Sequence, residues 1–214
     1  MSIGMILLIV IALLILFGVL QRTLDRMALT DRQAILIAAA VFAGGFVPDI
    51  PLGPVTLNIG GGLIPLLVSV YLFFHADTRR ERGRCIIAAL LTAAGVFLIG
   101  RFFPADPVSM PFDPLLLYGI AGGVIAWLFG RSRRSAFIAG ILGLVLADTL
   151  SAVILWAQGV SQALHIGGAG AADAVVISGV TAVMMCELLG ETVERMTRSR
   201  AAGHTRPAEG GHSA

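Results

Sequence analysis

Long runs of apolar residues, each ended by a short polar stretch, dominate this sequence. A helix needs roughly 20 mostly apolar residues to cross the hydrocarbon core of a bilayer. Seven stretches approach that length. They run over Ile3–Leu20, Gln33–Val47, Val55–Phe74, Cys85–Ile99, Pro114–Gly130, Ser135–Ala157 and Ala171–Leu189. The pattern predicts an all-α fold, an integral membrane bundle of seven transmembrane helices.

Composition also indicates that lipid surrounds most of the chain. Of the 214 residues, 57% are hydrophobic and 13% are charged, whereas soluble domains average about 45–50% apolar and about 25% charged residues. A chain this short cannot bury that apolar excess in one soluble core. The lipid bilayer is therefore the expected surrounding, and disordered, fibrous and disulfide-rich secreted proteins are excluded.

Arginine predicts the orientation of the spans. The chain has 15 arginines and no lysine. Fourteen of them follow the first, third, fifth and seventh stretches, and only Arg101 follows the fourth. Since short basic loops stay in the cytoplasm, the N-terminus is expected outside and the C-terminus inside a bacterial inner membrane. This topology accounts for the arginine excess without a nucleic-acid partner.

The chain divides into two parts of different composition. Residues 1–195 form the predicted seven-helix transmembrane domain. Residues 196–214 carry too little apolar surface to fold and are expected to be a disordered cytoplasmic tail. Cys85 and Cys186 have no neighbouring histidines, so neither a metal site nor a cofactor is expected.

Two glycine-rich stretches resemble each other. Thr56–Gly62 opens the third predicted span and Ala163–Gly170 precedes the seventh, which places Asn58 and His165 at matching positions. Spans one to three and five to seven also share an orientation. The chain is therefore read as two parallel three-helix halves joined by the fourth helix, or as two unrelated glycine-rich turns.

Two acidic residues lie where lipid is expected. Asp148 lies near the middle of the sixth predicted span, and Asp173 follows the second glycine-rich stretch. A carboxylate inside a span is costly unless it is paired, protonated or hydrated. Two neighbouring carboxylates can share a proton, so Asp148 and Asp173 are the candidate catalytic, proton-carrying pair. Alternatively, Asp173 accepts hydrogen bonds at a helix N-terminus and Asp148 accepts one from a neighbouring helix.

A substrate site is expected beside this pair. Asn58, His165, Gly61 and Gly168 are its candidate members, because they belong to the two glycine-rich stretches. Asn58 and His165 could instead bond exposed backbone next to the glycines. Asp49, Asp106 and Asp113 are expected to serve turns in outer loops. Glu187 and Glu191 are expected to meet arginines or water at the inner end.

One resemblance rests on specific motifs. These are Asn58-Ile-Gly-Gly-Gly-Leu-Ile-Pro65, Ser69-Val-Tyr-Leu72, Ala147-Asp148, and Ile166-Gly-Gly-Ala-Gly170 with Asp173 after two alanines. Over about residues 55–189 the chain resembles a bacterial and archaeal family of small polytopic membrane proteins of unknown function. That resemblance implies acidic residues at the positions of Asp148 and Asp173.

A weaker resemblance is to presenilin-type intramembrane aspartic proteases. Those place one aspartate in a Tyr-Asp pair and another in Gly-x-Gly-Asp on consecutive helices. Here Ala147 precedes Asp148, and two alanines separate Gly170 from Asp173. Both positions depart from the protease pattern.

Three functional readings remain open at this point. The leading one is a transport-type protein in which the acidic pair couples a proton or cation to a small solute. The second is an intramembrane aspartyl hydrolase. The third is a non-catalytic assembly or structural protein, and a homo-oligomer is compatible with all three. A lysine-containing phosphate loop, His-Glu-x-x-His and Gly-x-Ser-x-Gly are absent from the sequence.

Overall fold

The computed structural model describes residues 30–76, 78–103 and 113–204. Its helices are α1 Asp31–Gly44, α2 Ile64–Phe74, α3 Arg79–Phe102, α4 Pro114–Gly130, α5 Arg133–Ala157 and α6 Ala174–His204. Three short strands accompany them, β1 Ile50–Leu52, β2 Val55–Leu57 and β3 Leu164–Ile166. The first predicted span, Ile3–Leu20, Arg22 and Arg26 after it, Asp106, and the last part of the predicted tail, 205–214, lie outside the described residues.

Local sequence signals set the start of several helices. Asp113 accepts a hydrogen bond from the Leu115 amide at 2.9 Å, and Pro114 takes the first helical position of α4. Ser132 accepts in the same way from the Ser135 amide at 3.1 Å, where α5 begins. Both side chains satisfy amides that a helix N-terminus leaves unpaired. The prediction for α4 is confirmed at both ends.

The length of the apolar stretch separates two helices from the rest. By length and composition, α3 and α5 are long and apolar enough to cross a membrane. The other apolar helical stretches are 10–17 residues long, including the apolar part of α6, Ala174–Leu189. With 14 residues, α1 spans about 21 Å against a hydrocarbon core of about 30 Å. The mostly helical bundle is confirmed for the part of the chain described, whereas the count of seven spans and their orientation stay predictions.

The third predicted span is wrong as an uninterrupted helix, whereas the seventh begins three residues later than predicted. The third begins as β2, passes through a π-helical turn over Ile59–Leu63, and becomes α2 only at Ile64. The seventh is preceded by a 3₁₀ turn over Gly170–Ala172, and α6 then continues past residue 195 to His204. Consecutive glycines explain both irregular turns, because they hold a regular helix poorly and allow other backbone conformations.

A small sheet joins the two glycine-rich stretches, which the all-α prediction did not anticipate. Its strand order is β1-β2-β3. Strand β1 pairs with β2 in the antiparallel direction, and β2 pairs with β3 in the parallel direction. Thr56 pairs with His165, so the expected match between Asn58 and His165 is offset along the strands. The two resembling segments nevertheless lie side by side.

Helices α3 to α6 pack closely through small residues, and together we call them the bundle. A Cβ added to Gly143 on α5 would lie 2.6 Å from the Thr92 side chain on α3. Ser178 on α6 donates to the Gly140 carbonyl on α5 at 3.0 Å. Small residues on this face of α5 permit the close backbone approach.

Charged side chains gather at one end of the bundle, which we call the basic end. Arg133 at the start of α5 forms an ion pair with Glu187 on α6. Arg134 lies 3.6 Å from the Glu81 carboxylate at the start of α3. The expected pairing of Glu187 with an arginine is confirmed.

Candidate functional site

Backbone rather than side chains fills the region between the two glycine-rich stretches. A Cβ on Gly61 would overlap the Gly167 and Gly170 carbonyl oxygens, and one on Gly62 would lie 2.7 Å from the Ile166 oxygen. Gly167 has φ +74°, a conformation that side chains disfavour. We call this contact the glycine knot. Its members are Gly44, Gly60, Gly61, Gly62, Gly167 and Gly170.

Asn58 ties three segments together at the knot. Its side-chain oxygen accepts from the Gly61 amide at 2.9 Å, and its side-chain nitrogen donates to Asp49 at 2.8 Å. Its backbone amide donates to the Ile166 carbonyl at 3.0 Å. Asn58 is 3% exposed. The alternative that Asn58 bonds backbone next to the glycines is therefore confirmed.

The Asn58 side chain yields a stability prediction. Asn58→Asp should lower the free energy of unfolding at pH 7 by about 2 kcal/mol, because it replaces a donor with a second carboxylate facing Asp49. The loss should shrink on acidification, since protonation of either carboxylate removes the repulsion and restores a donor. Thermal unfolding of detergent-solubilised protein between pH 4 and pH 8 measures both effects.

A swapped variant provides the control. Asp49→Asn combined with Asn58→Asp reverses the direction of the hydrogen bond and leaves an acceptor for the Gly61 amide. It should recover most of the lost stability. A double variant as unstable as the single one would contradict the assigned contact.

His165 lies on the exposed side of the sheet. Its Nδ1 lies 2.6 Å from the Thr56 hydroxyl on the neighbouring strand. Gly168 is also exposed, and a Cβ added there would meet only the His165 Cβ, at 3.4 Å. The four candidate substrate residues thus divide into a buried pair, Asn58 and Gly61, and an exposed pair, His165 and Gly168. Their binding role stays a prediction.

Asp173 closes the second glycine-rich turn and caps α6. One carboxylate oxygen accepts from the Val175 amide at 2.9 Å and the other from the Ala169 amide at 3.2 Å. Asp173 is 7% exposed. The alternative that it accepts hydrogen bonds at a helix N-terminus is confirmed, and both of its oxygens are engaged with backbone.

Asp148 lies close to Asp173 but is held differently. Its charge interacts with that of Asp173 and with the Tyr118 hydroxyl. It is half-buried, next to the buried Ala147 on α5. Among the residues that the structure describes, it forms no hydrogen bond or ion pair. The two predicted carboxylates thus lie near enough for their charges to interact, Asp148 on α5 and Asp173 directly before α6.

Sequence reasoning missed three residues that lie beside the candidate site residues. Tyr118 lies near Asp148, Asp49 bonds Asn58, and Thr56 lies beside His165. Tyr118 on α4 donates to the Phe103 carbonyl at 2.6 Å, and its hydroxyl interacts with the charge of Asp148. Asp49 had been given a turn role, and Thr56 none. The only available signal was the proximity of Asp49 and Thr56 to the first glycine run. No three His, Cys, Asp or Glu side chains gather to hold a metal within the described ranges.

Comparison with known proteins identifies a family. No curated protein and no solved structure matches this chain. A family model does match, and its span contains the sheet, Asp148, Asp173 and every member of the glycine knot except Gly44. The resemblance expected from the motifs is confirmed, and nothing bears on the presenilin likeness. The chain belongs to the family described as "Protein of unknown function (DUF1614)", whose model covers residues 46–185.

Proposed function

We propose that this protein is a multi-pass membrane transporter in which Asp148, beside Asp173, couples a proton or cation to a small solute. The observation that carries the proposal is that Asp148 on α5 and Asp173, directly before α6, lie near enough for their charges to interact. Neighbouring carboxylates bind a proton or cation between them more readily than one carboxylate does alone. Reversible binding of that kind is what coupled transport requires.

The membrane topology has independent support. Helices α3 and α5 have the length and apolarity of spans. The starts of both helices carry arginines and meet at the basic end. Together with the arginine distribution along the sequence, this supports seven spans, an outer N-terminus and a bacterial inner membrane.

Broken helices support transport over a purely structural role. A π-helical turn lies before α2 and a 3₁₀ turn lies before α6. The backbone at both places, next to apolar helices, is therefore not α-helical. Within a membrane such backbone is tolerated only against protein or water. Transporters use interrupted helices of this kind to build their binding sites near the bilayer midplane.

The two carboxylates have different tasks in this proposal. Asp173 is committed to the Val175 and Ala169 amides and acts as a fixed negative charge. Asp148 has no such partner among the described residues and is the group that takes up and releases the proton or cation. An aspartyl hydrolase instead needs both carboxylates available to one water molecule. The backbone commitment of Asp173 therefore favours transport.

Proteoliposomes loaded with a pH-sensitive dye test the proposal. Purified protein would be given amino acids, sugars, organic acids and metal cations in turn, under an inward proton gradient. We expect one class to accelerate internal acidification in wild type and Asp113→Asn, since Asp113 is an exposed cap on α4. The rate in Asp148→Asn should fall to that of protein-free vesicles. Equal rates in wild type and Asp148→Asn would reject the proposal.

A further inference from the structure

Helices α1 and α2 are attached to the bundle in two different ways at their two ends. We call α1 and α2 together the arm. At one end, the glycine knot joins arm and bundle through backbone packed too closely for a Cβ. At the basic end, arginine side chains make the connection. Backbone segments packed this closely cannot separate gradually. Side-chain hydrogen bonds, in contrast, can be replaced by hydrogen bonds to water.

Two arginines of the bundle hold the C-terminal end of α2. Arg82 on α3 donates to the Phe74 carbonyl at 3.0 Å and to the Ala76 carbonyl at 3.4 Å. Arg134 on α5 donates to the His75 carbonyl at 2.8 Å. These carbonyls are the acceptors that a helix C-terminus leaves without intrahelical partners. Water can satisfy these carbonyls when the end of α2 moves away, and the same water then hydrates the guanidinium of Arg134, which is 5% exposed in the closed structure.

The seam beneath α2 contains groups suited to contact with water. The Ser69 hydroxyl on α2 is fully buried and makes no hydrogen bond to any residue that the structure describes. Leu72, one turn later on the same face, packs with Cys85 of α3 and Ile138 of α5. A buried hydroxyl without a partner is costly in a permanently closed interface and is satisfied when water enters.

We propose that the arm is a hinged lid: Arg82 and Arg134 latch the end of α2, and their release swings the arm about the glycine knot. The seam holding Ser69 and Cys85 then opens to water at the basic end. This motion belongs to the fold and does not depend on which solute, if any, the protein transports.

Cys85 is a built-in reporter of this motion. It is 1% exposed and is covered by Leu72 of the arm. The chain has two cysteines, so Cys186→Ser leaves Cys85 as the single thiol. Ala139 is 0% exposed and packs inside the bundle away from the arm. In a Cys85→Ser, Cys186→Ser background, Ala139→Cys therefore reports opening of the bundle itself.

Alkylation by N-ethylmaleimide in detergent micelles tests the lid. Arg82→Gln should accelerate alkylation of Cys85 by about tenfold or more, because local opening becomes more frequent. Arg84→Gln, an exposed arginine on the same helix, should leave the rate unchanged. The Ala139→Cys reporter should stay unreactive in the Arg82→Gln background.

Two results would overturn the lid. One is an unchanged Cys85 rate in Arg82→Gln; the other is an equal rise at both reporters, because the loosening is then not confined to the arm. With the latch intact, Cys85 should still react at least about tenfold faster than Ala139→Cys. Equal rates there would also refute the lid, and none of these readouts depends on transport.

Discussion

Gly61→Ala should destabilise the protein by about 3 kcal/mol, whereas Gly168→Ala should change its stability by less than about 0.5 kcal/mol. Both glycines belong to the two resembling stretches, and both were candidate substrate residues. They differ in what surrounds them. A Cβ on Gly61 would overlap the Gly167 and Gly170 carbonyl oxygens, and that on Gly168 would meet only the His165 Cβ at 3.4 Å.

The cost at Gly61 is large because its neighbours are backbone atoms. A flexible side chain could rotate away from an added methyl group, but these carbonyls belong to the turn that leads into Asp173. Moving them would disturb the hydrogen bonds from the Gly170 amide to Gly167 and from the Asp173 amide to Gly170. The substitution should therefore disturb the turn that leads into Asp173 as well as the glycine knot.

Thermal unfolding in detergent, followed by the fluorescence of Trp127 and Trp156, measures this difference. Gly83→Ala is a second control, because a Cβ there meets nothing within 4 Å and lies inside α3. It should stabilise the protein by about 0.5–1 kcal/mol. If Gly61→Ala unfolded together with Gly168→Ala, the close backbone contact would be refuted.

Local signals in the sequence were enough to place most helices. The apolar run that begins at Pro114 predicted the start of α4, where Asp113 caps the helix, and a cap at Ser132 fixes the start of α5 near its predicted place. Such signals act within one helical turn, so one sequence contains them in full.

The sheet could not be predicted in the same way. Thr56 and His165 are 109 residues apart, and their pairing depends on how two distant turns meet. The run Gly60-Gly61-Gly62 resembles the small-residue face of a buried helix as closely as it resembles a break in one. Only the resemblance between the two stretches hinted that they are neighbours.

The acidic pair shows both the reach and the limit of sequence reasoning. Asp148 and Asp173 were identified by the cost of a carboxylate in an apolar segment, which needs no tertiary information. The different roles of the two carboxylates, in contrast, depend on tertiary structure. The bonds of Asp173 to Val175 and Ala169 depend on the geometry of the turn, and Tyr118 comes from a third helix.

Asp148→Asn and Asp173→Asn should therefore fail in opposite ways. Asp148→Asn should reduce solute-coupled proton flux by about 100-fold or more, because a side-chain amide does not bind and release a proton near neutral pH. It should not lower the unfolding temperature, since it removes one of two interacting negative charges without breaking a hydrogen bond to a described residue. This is the second large effect that the structure predicts.

Asp173→Asn should instead lower the free energy of unfolding by about 1–2 kcal/mol. The amide retains one acceptor for the Val175 N–H but presents a donor to the Ala169 N–H, which needs an acceptor. Proton coupling should persist at a reduced rate, because the proton carrier is still present. Flux in proteoliposomes and unfolding temperature, measured on both variants, separate these outcomes.

The pattern of results distinguishes all three functional readings. A hydrolase sharing one water between its carboxylates would lose activity equally in both variants. A purely structural protein would tolerate Asp148→Asn and be weakened only by Asp173→Asn. Loss of coupling in Asp148→Asn with an unchanged unfolding temperature is expected only if Asp148 carries the proton while Asp173 holds the turn beside it.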